Sequence, residues 1–256
     1  MLRSNSDDVV LALASAPVDP RTGNKVLYSV NWRATRDSMI GEVNKDWVRR
    51  ELDWFNSGSN QLADMEDPVP ALFKACEGYD GMVNSAYGHI LFGESDELPS
   101  PPTLYERVLF TFLNEGWSTR HAVAIISDRD IHELARKNGR NDFICTNALN
   151  IMIDADNRVH IIAQMRSMDA VFGYRADYSM WDDLMKRLLR DLNNYASTVG
   201  EPHVSRGDIT FQVANLHVYP RHFDLLEKWQ HVVYDRQERE DRRVWLERAK
   251  VNAILR

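Results

Sequence analysis

A chain of 256 residues with a formal net charge of −7 is long enough to bury one substantial core, and too acidic for a general nucleic-acid binder, which recruits phosphate with clustered Lys and Arg. It has two cysteines, no apolar run approaching the roughly 20 residues that span a bilayer, and no amino-terminal basic segment leading into an apolar one. A disulfide scaffold, a membrane helix and a secretory leader are therefore not expected, and one soluble domain over 1–256 in a reducing cytoplasm is.

In chain order, residues 46–55 (DWVRRELDWF) place Val48, Leu52 and Phe55 on one helical face, with Trp54 near its edge and Glu51 beside it. Residues 104–113 (LYERVLFTFL) form a second helix that Gly116 can end. Residues 121–127 (HAVAIIS) read as a buried strand. Two strand-like runs, 143–153 and 158–167, flank Asp154-Ala155-Asp156-Asn157, whose short polar side chains suit a turn. That predicts a hairpin with Cys145 on its first strand and Arg166 on its second. Residues 178–195 repeat Trp181, Leu184, Met185, Leu188, Leu189 and Leu192 at helical spacing. In 207–219 (GDITFQVANLHVY), alternation puts Phe211, Val213, Asn215, His217 and Tyr219 on one strand face, so His217 and Tyr219 can reach one ligand together. Pro220 stops that strand and a helical tail runs to Arg256, its mixed-charge stretch 236–243 (RQEREDRR) reading as a solvated face. The absence of repeats, low-complexity segments and linkers favours a single domain.

Taken singly, the polar residues of this chain have plain structural readings. Cys145 and Cys76 suit buried thiols. Arg166 is a surface arginine, Ser167 a strand serine, and Asp177 an N-cap for a helix opening at Tyr178. His217 and Tyr219 fit a half-buried strand, and Glu51 a solvated helix face.

Several blocks in order alter that reading: Arg21-Thr22-Gly23, Glu51-Leu52-Asp53-Trp54-Phe55, Asn84-Ser85-Ala86-Tyr87-Gly88, Asp142-Phe143-Ile144-Cys145-Thr146-Asn147, the run 165–178, and Leu216-His217-Val218-Tyr219-Pro220-Arg221-His222. With these the chain resembles the thymidylate synthase family, and within it the branch that hydroxymethylates deoxycytidylate. The resemblance implies an α/β (α+β) fold with a large mixed or antiparallel sheet packed with helices, sheets back to back in a homodimer, the cofactor 5,10-methylenetetrahydrofolate, and no metal. It makes Cys145 the nucleophile, with Arg166 lowering the thiol pKa, and leaves Cys76 structural. Arg166, Ser167 and Arg21 grip the 5′-phosphate, joined across the interface by Arg120 and His121, where an Arg-Arg pair is usual and His121 donates less dependably near neutral pH. Glu51 is the acid/base group, Tyr87 assists loss of the C5 proton, and His217 and Tyr219 read the sugar. Phe73, Asp169 and Gly173 hold the folate, Phe73 standing where relatives place a tryptophan.

Asp177 selects the base. Thymidylate synthases carry Asn here, whose amide accepts from uracil N3–H and donates to O4. An ionised carboxylate only accepts, which fits the cytosine 4-amino group and a protonated N3, and faces uracil O4 at a cost on the order of 1–3 kcal/mol. The leading expectation is attack of Cys145 on C6 of dCMP, one-carbon transfer to C5, and trapping of an exocyclic methylene by water to give 5-hydroxymethyl-dCMP. Competing readings are a dCMP C5-methyltransferase, in which hydride replaces water, a CMP 5-hydroxymethylase, and a non-catalytic relative that binds nucleotide or RNA in the same cleft. The charged tail after Trp229 also departs from the short carboxy-terminal lid of thymidylate synthases.

Overall fold

The turn at 154–157 is built by its own side chains. Asp154 accepts from the amides of Asp156 and Arg158 at 3.0 and 2.8 Å, and Asn157 takes left-handed backbone with φ 57°. The chain thereby reverses between antiparallel strands β4 (Thr146–Ile153) and β5 (Arg158–Met165). In the computed structural model, which describes residues 2–3, 5–35, 39–41, 44–93, 101–127 and 135–254, this hairpin joins a mixed sheet. Its other strands are β1 (Leu2–Arg3), β2 (Lys25–Ala34), β3 (Val123–Ile125), β6 (Met168–Asp169) and β7 (Ser205–Val218). The order is β1-β2-β7-β5-β4-β3, with β5 and then β6 running parallel to β7, and β2 antiparallel to it.

The α-helices among the described residues are α1 (Ser6–Ala14), α2 (Lys45–Ser57), α3 (Ala71–Cys76), α4 (Tyr87–Phe92), α5 (Leu104–Glu115), α6 (Gly173–Val199) and α7 (Phe223–Ile254). The periodic stripe of α6 buries Trp181, Met185, Leu188 and Leu192 fully. Each such side chain stabilises by about 1.5–3 kcal/mol. Beneath them Trp32 stacks on Phe211 at 5.3 Å between ring centroids. Local signals set the helix ends: Asn44 accepts from the Trp47 amide at the start of α2, Gly58 closes it at φ 70°, and a Thr103/Glu106 capping box opens α5. The sheet face turned away from α6 carries the register-matched residues Ile125, Ala148, Gln164 and Gln212, and Ile125 is 60% exposed.

Four elements differ from expectation, each for a local reason. On α2 the buried residues are Arg50, Glu51, Trp54 and Phe55, so Glu51 belongs to the buried face itself; Arg50 is buried because its guanidinium donates to the Pro68 carbonyl at 2.6 Å. β3 covers only 123–125, because Thr119 Oγ1 accepts from the His121 amide and holds 119–121 in a turn. α6 opens at Gly173, since Asp169 already accepts from the amides of Val171 and Phe172 at 2.9 and 3.4 Å and organises the turn ahead of it. Asp177 is therefore a second-turn helix residue rather than a cap. On β7 the buried phase slips between Val213 and Leu216, opposite Ser29 of β2 with φ 55°, so Phe211 and Val213 go to the core while His217 sits half-buried between buried Leu216 and Val218. The predicted tail folds as α7 with Leu226 and Val233 buried, residues 234–243 are exposed, and 255–256 lie outside the described residues.

α4 crosses α2 at Gly88, where any Cβ would overlap the Phe55 carbonyl oxygen. Backbone cannot yield as a side chain tip does. Gly88→Ala is expected to cost about 3 kcal/mol or more, read as a lowered urea midpoint with unchanged slope; an unchanged midpoint would refute the tight crossing.

Candidate active site

A cavity of about 850 Å³ opens where α2, α4, α6 and the carboxyl-terminal ends of β5, β6 and β7 converge. α2 lends Glu51, α4 Tyr87, the break between β5 and β6 Arg166 and Ser167, and α6 Gly173 and Asp177. Asp169, His217, Tyr219 and Phe73 also line it. Cys145 and Arg166 lie one residue outside the paired strands rather than on them, which frees both side chains for the cavity. The hairpin nonetheless brings them together: Arg166 Nη2 stands 3.5 Å from Cys145 Sγ. Its guanidinium is held by donation to the carbonyls of Ile144 at 2.8 Å and Phe143 at 2.7 Å.

Tyr87 anchors the backbone at the thiol, its hydroxyl oxygen accepting from the amides of Cys145 at 3.3 Å and Thr146 at 3.1 Å. Burial, reinforced by Asp177 and Cys145, pushes the phenol well above its ordinary range. It is a hydrogen-bonding group rather than a standing base. Burial likewise pushes the Cys145 thiol up, Arg166 pulls it back part-way, and Asp177 adds to the rise. Arg166 acts in the expected direction, but desolvation outweighs one exposed guanidinium and the thiol stays raised. His217 is lowered by burial, with Asp169 opposing, and its ring meets Tyr219 edge-on at 5.0 Å.

Two carboxyls dominate the electrostatics. Asp177 is raised well above the carboxylate range by burial and then by Glu51. Burial raises Glu51 from 4.5 to about 7, opposed by Trp47, whose indole N–H donates to Glu51 Oε2 at 2.8 Å. A carboxyl raised on folding favours the native state below its unfolded value and loses that contribution as pH rises through the folded one. Between roughly pH 4.5 and 8 the stability difference should therefore move in favour of Glu51→Gln by on the order of 3 kcal/mol. Urea titrations of both proteins at the two ends of that window check this, and parallel pH profiles would count against it.

Not every predicted residue converges. Arg21 lies in the turn before β2, its exposed side chain paired with Asp19 at 3.3 Å and outside the cavity lining. Arg120 and His121 lie at the entry to edge strand β3, also outside the lining, and His121 Nδ1 is 2.8 Å from a Glu115 carboxylate oxygen. Cys76 packs against the Trp54, Met65, Val83 and Ala86 cluster and is not part of the cavity lining. Phe73 meets Trp54 edge-on at 5.6 Å and forms an aromatic wall.

No family model matches the chain. The deoxycytidylate 5-hydroxymethyltransferases of Enterobacteria phages T4 and T2 are 29% identical to it over 211 residues, covering 82% of this chain and 82% of theirs, and that of phage T6 is 29% identical over 213 residues. The thermostable thymidylate synthase A of Bacillus subtilis superposes with a TM-score of 0.66 at 17% identity, over 88% of this chain and 82% of the other, which is a likeness of fold. The chain is thus similar in sequence to the phage deoxycytidylate 5-hydroxymethyltransferases and shares the fold of a thymidylate synthase.

Two cavity residues, Trp47 and Arg221, escaped the sequence reading. Trp47 stands one helical turn before Glu51, and that spacing was the available signal. Arg221 lines the cavity with its guanidinium 4.6 Å from the Tyr219 ring centre, and lay unassigned within the quoted His217–His222 block.

Proposed function

We propose that this chain is a deoxycytidylate 5-hydroxymethyltransferase, transferring a one-carbon unit to C5 of dCMP and closing the reaction with water. The observation that carries this reading is the burial of two raised carboxyls, Glu51 and Asp177, in the same cavity as a thiol with a guanidinium 3.5 Å away. The names of the phage relatives supply the substrate. Asp177, protonated at rest, offers cytosine both partners it needs: its carbonyl oxygen accepts from the 4-amino group and its O–H donates to N3. As Cys145 adds to C6, that proton moves to N3 and the electron pair reaches C5. Arg166, beside the sulfur, balances the charge developing there. Arg166 and Ser167 hold the 5′-phosphate, and His217 with Tyr219 hold the sugar.

The cavity suits methylenetetrahydrofolate, with Phe73 and Gly173 along its walls and Asp169 as an acceptor for ring N–H groups. That cofactor supplies the one-carbon unit and leaves as tetrahydrofolate. Glu51, raised to about 7, holds or takes a proton with equal ease near neutral pH. Tyr87 keeps the Cys145 amide in place through the cycle and helps remove the C5 proton. One catalytic domain spans 1–256. A second copy packs on the sheet face bearing Ile125 and brings Arg120 and His121 to the partner's phosphate; Arg21 joins when its Asp19 pair opens.

Incubation with methylenetetrahydrofolate and dCMP, CMP or dUMP, followed by product mass, tests the assignment. Hydroxymethyl-dCMP is expected. A methyl product makes the chain a methyltransferase, preference for CMP moves the sugar assignment, and absence of any product favours a binding protein.

A further inference from the structure

Glu51 faces two spaces. Beyond the large cavity, a second one of about 160 Å³ lies across the Trp47–Phe172 ring pair, whose centroids are 5.3 Å apart. Trp47, Glu51, Phe172, Asn44 and Ala176 line both and form the partition between them. Val48 and Arg175 line only the smaller space; Cys145, Arg166 and Asp177 line only the larger.

That division bears on the final nucleophile. A nucleotide and a folate together occupy most of an 850 Å³ site and expel its water, so hydration needs a supply that neither ligand displaces. At about 30 Å³ per molecule the smaller space has room for several waters. It is also polar enough to keep them, since Glu51, Asn44 and Arg175 interrupt walls of Trp47, Val48, Phe172 and Ala176. An apolar void of this size would stay dry.

Resting on the hydroxymethyltransferase reading, we propose that this smaller cavity is the water reservoir of the trapping step, handing water to the methylene through the Glu51 carboxyl that both spaces share. The water oxygen bonds to the methylene carbon as its proton passes to the Glu51 carboxylate. The electron pair of the exocyclic double bond moves to C5, then re-forms C5=C6 and expels the Cys145 thiolate. No oxidant or reductant enters. Trp47, donating to Glu51 Oε2 at 2.8 Å, fixes the carboxyl between donor space and acceptor space.

Val48→Phe grows a ring into the reservoir without touching the lining of the large cavity. With dCMP, methylenetetrahydrofolate and 2-mercaptoethanol as competing nucleophile, the ratio of C5 thioether to hydroxymethyl product should rise about tenfold over the unaltered chain. Tritium release from [5-³H]dCMP, which precedes trapping, continues. Val48→Leu should give a smaller rise, and Val48→Ala, which enlarges the space and cannot clash, no rise. An unchanged ratio in a folded Phe or Leu variant, or a rise in Val48→Ala, overturns the reservoir. Absence of hydroxymethyl product from the unaltered chain removes the underlying reaction, a result visible before any variant is made.

Discussion

Cys145→Ala should leave a folded protein that still binds dCMP but turns it over about 10⁴-fold more slowly, roughly 5.5 kcal/mol of lost barrier reduction. C5 of cytosine is a poor nucleophile until something adds at C6, and in the proposed reaction the Cys145 thiol is the group that adds. Its position is over-determined: Tyr87 holds the backbone amides on either side of the attack point, and Arg166 stands 3.5 Å from the sulfur. Burial raises the thiol and Arg166 opposes that rise. Product mass gives the rate, and loss of fluorescence from nearby Trp47 on titration with dCMP gives binding. In the unaltered chain 5-fluoro-dCMP with methylenetetrahydrofolate should add the mass of both to Cys145, because once the one-carbon unit has joined C5, fluorine cannot leave as the proton does. Activity within tenfold of the parent in the alanine variant would end the covalent mechanism.

Asp177→Asn should lower kcat/KM for dCMP by about 10²- to 10³-fold and admit dUMP. Burial and Glu51 raise the carboxyl and so favour its neutral form, and on the proposed reaction its selectivity then rests on proton movement rather than on acceptor lone pairs alone. Cytosine N3 is basic enough to take the Asp177 proton, after which both base N–H groups point at a carboxylate. Uracil O4 is far less basic and leaves the acid unspent. An amide has no proton to give, so it serves uracil and fails cytosine. The sign in pH follows: the form needed is the protonated one, so dCMP turnover by the parent falls as pH rises through the elevated Asp177 value. The asparagine variant lacks that falling limb. Equal loss for dCMP and dUMP with an unmoved profile would show that Asp177 is structural.

Much of the site was legible because its residues sit in short blocks whose local structure is simple. The turn at 154–157 announces the hairpin, and the hairpin alone accounts for the meeting of Cys145 and Arg166. The helices read over 46–55 and 178–195 follow from periodicity, while the structure sets their ends, with Asn44 and Gly58 closing α2 and Gly200 closing α6. Strand face assignments were less dependable. Alternation was carried through 207–219 as if β7 were regular, but the partner strand is kinked at Ser29 and the buried phase slips. The start of α6 was misjudged because Asp169, three residues before Phe172, does the organising that Asp177 was credited with.

The sequence by itself determined which chemical groups this protein owns, where its elements run, and which of its two cysteines has a guanidinium within reach. These are local properties, fixed by spacing along the chain. Only the tertiary structure decided their protonation. Glu51 and Asp177 are distant in sequence, and packing α2 against α6 buries both carboxyls at one cavity, where burial raises each and Glu51 further raises Asp177. That coupling depends on distance and dielectric, neither of which is written in a run of residues. The same packing made Trp47 a partition and gave Glu51 a second, smaller cavity on its far side.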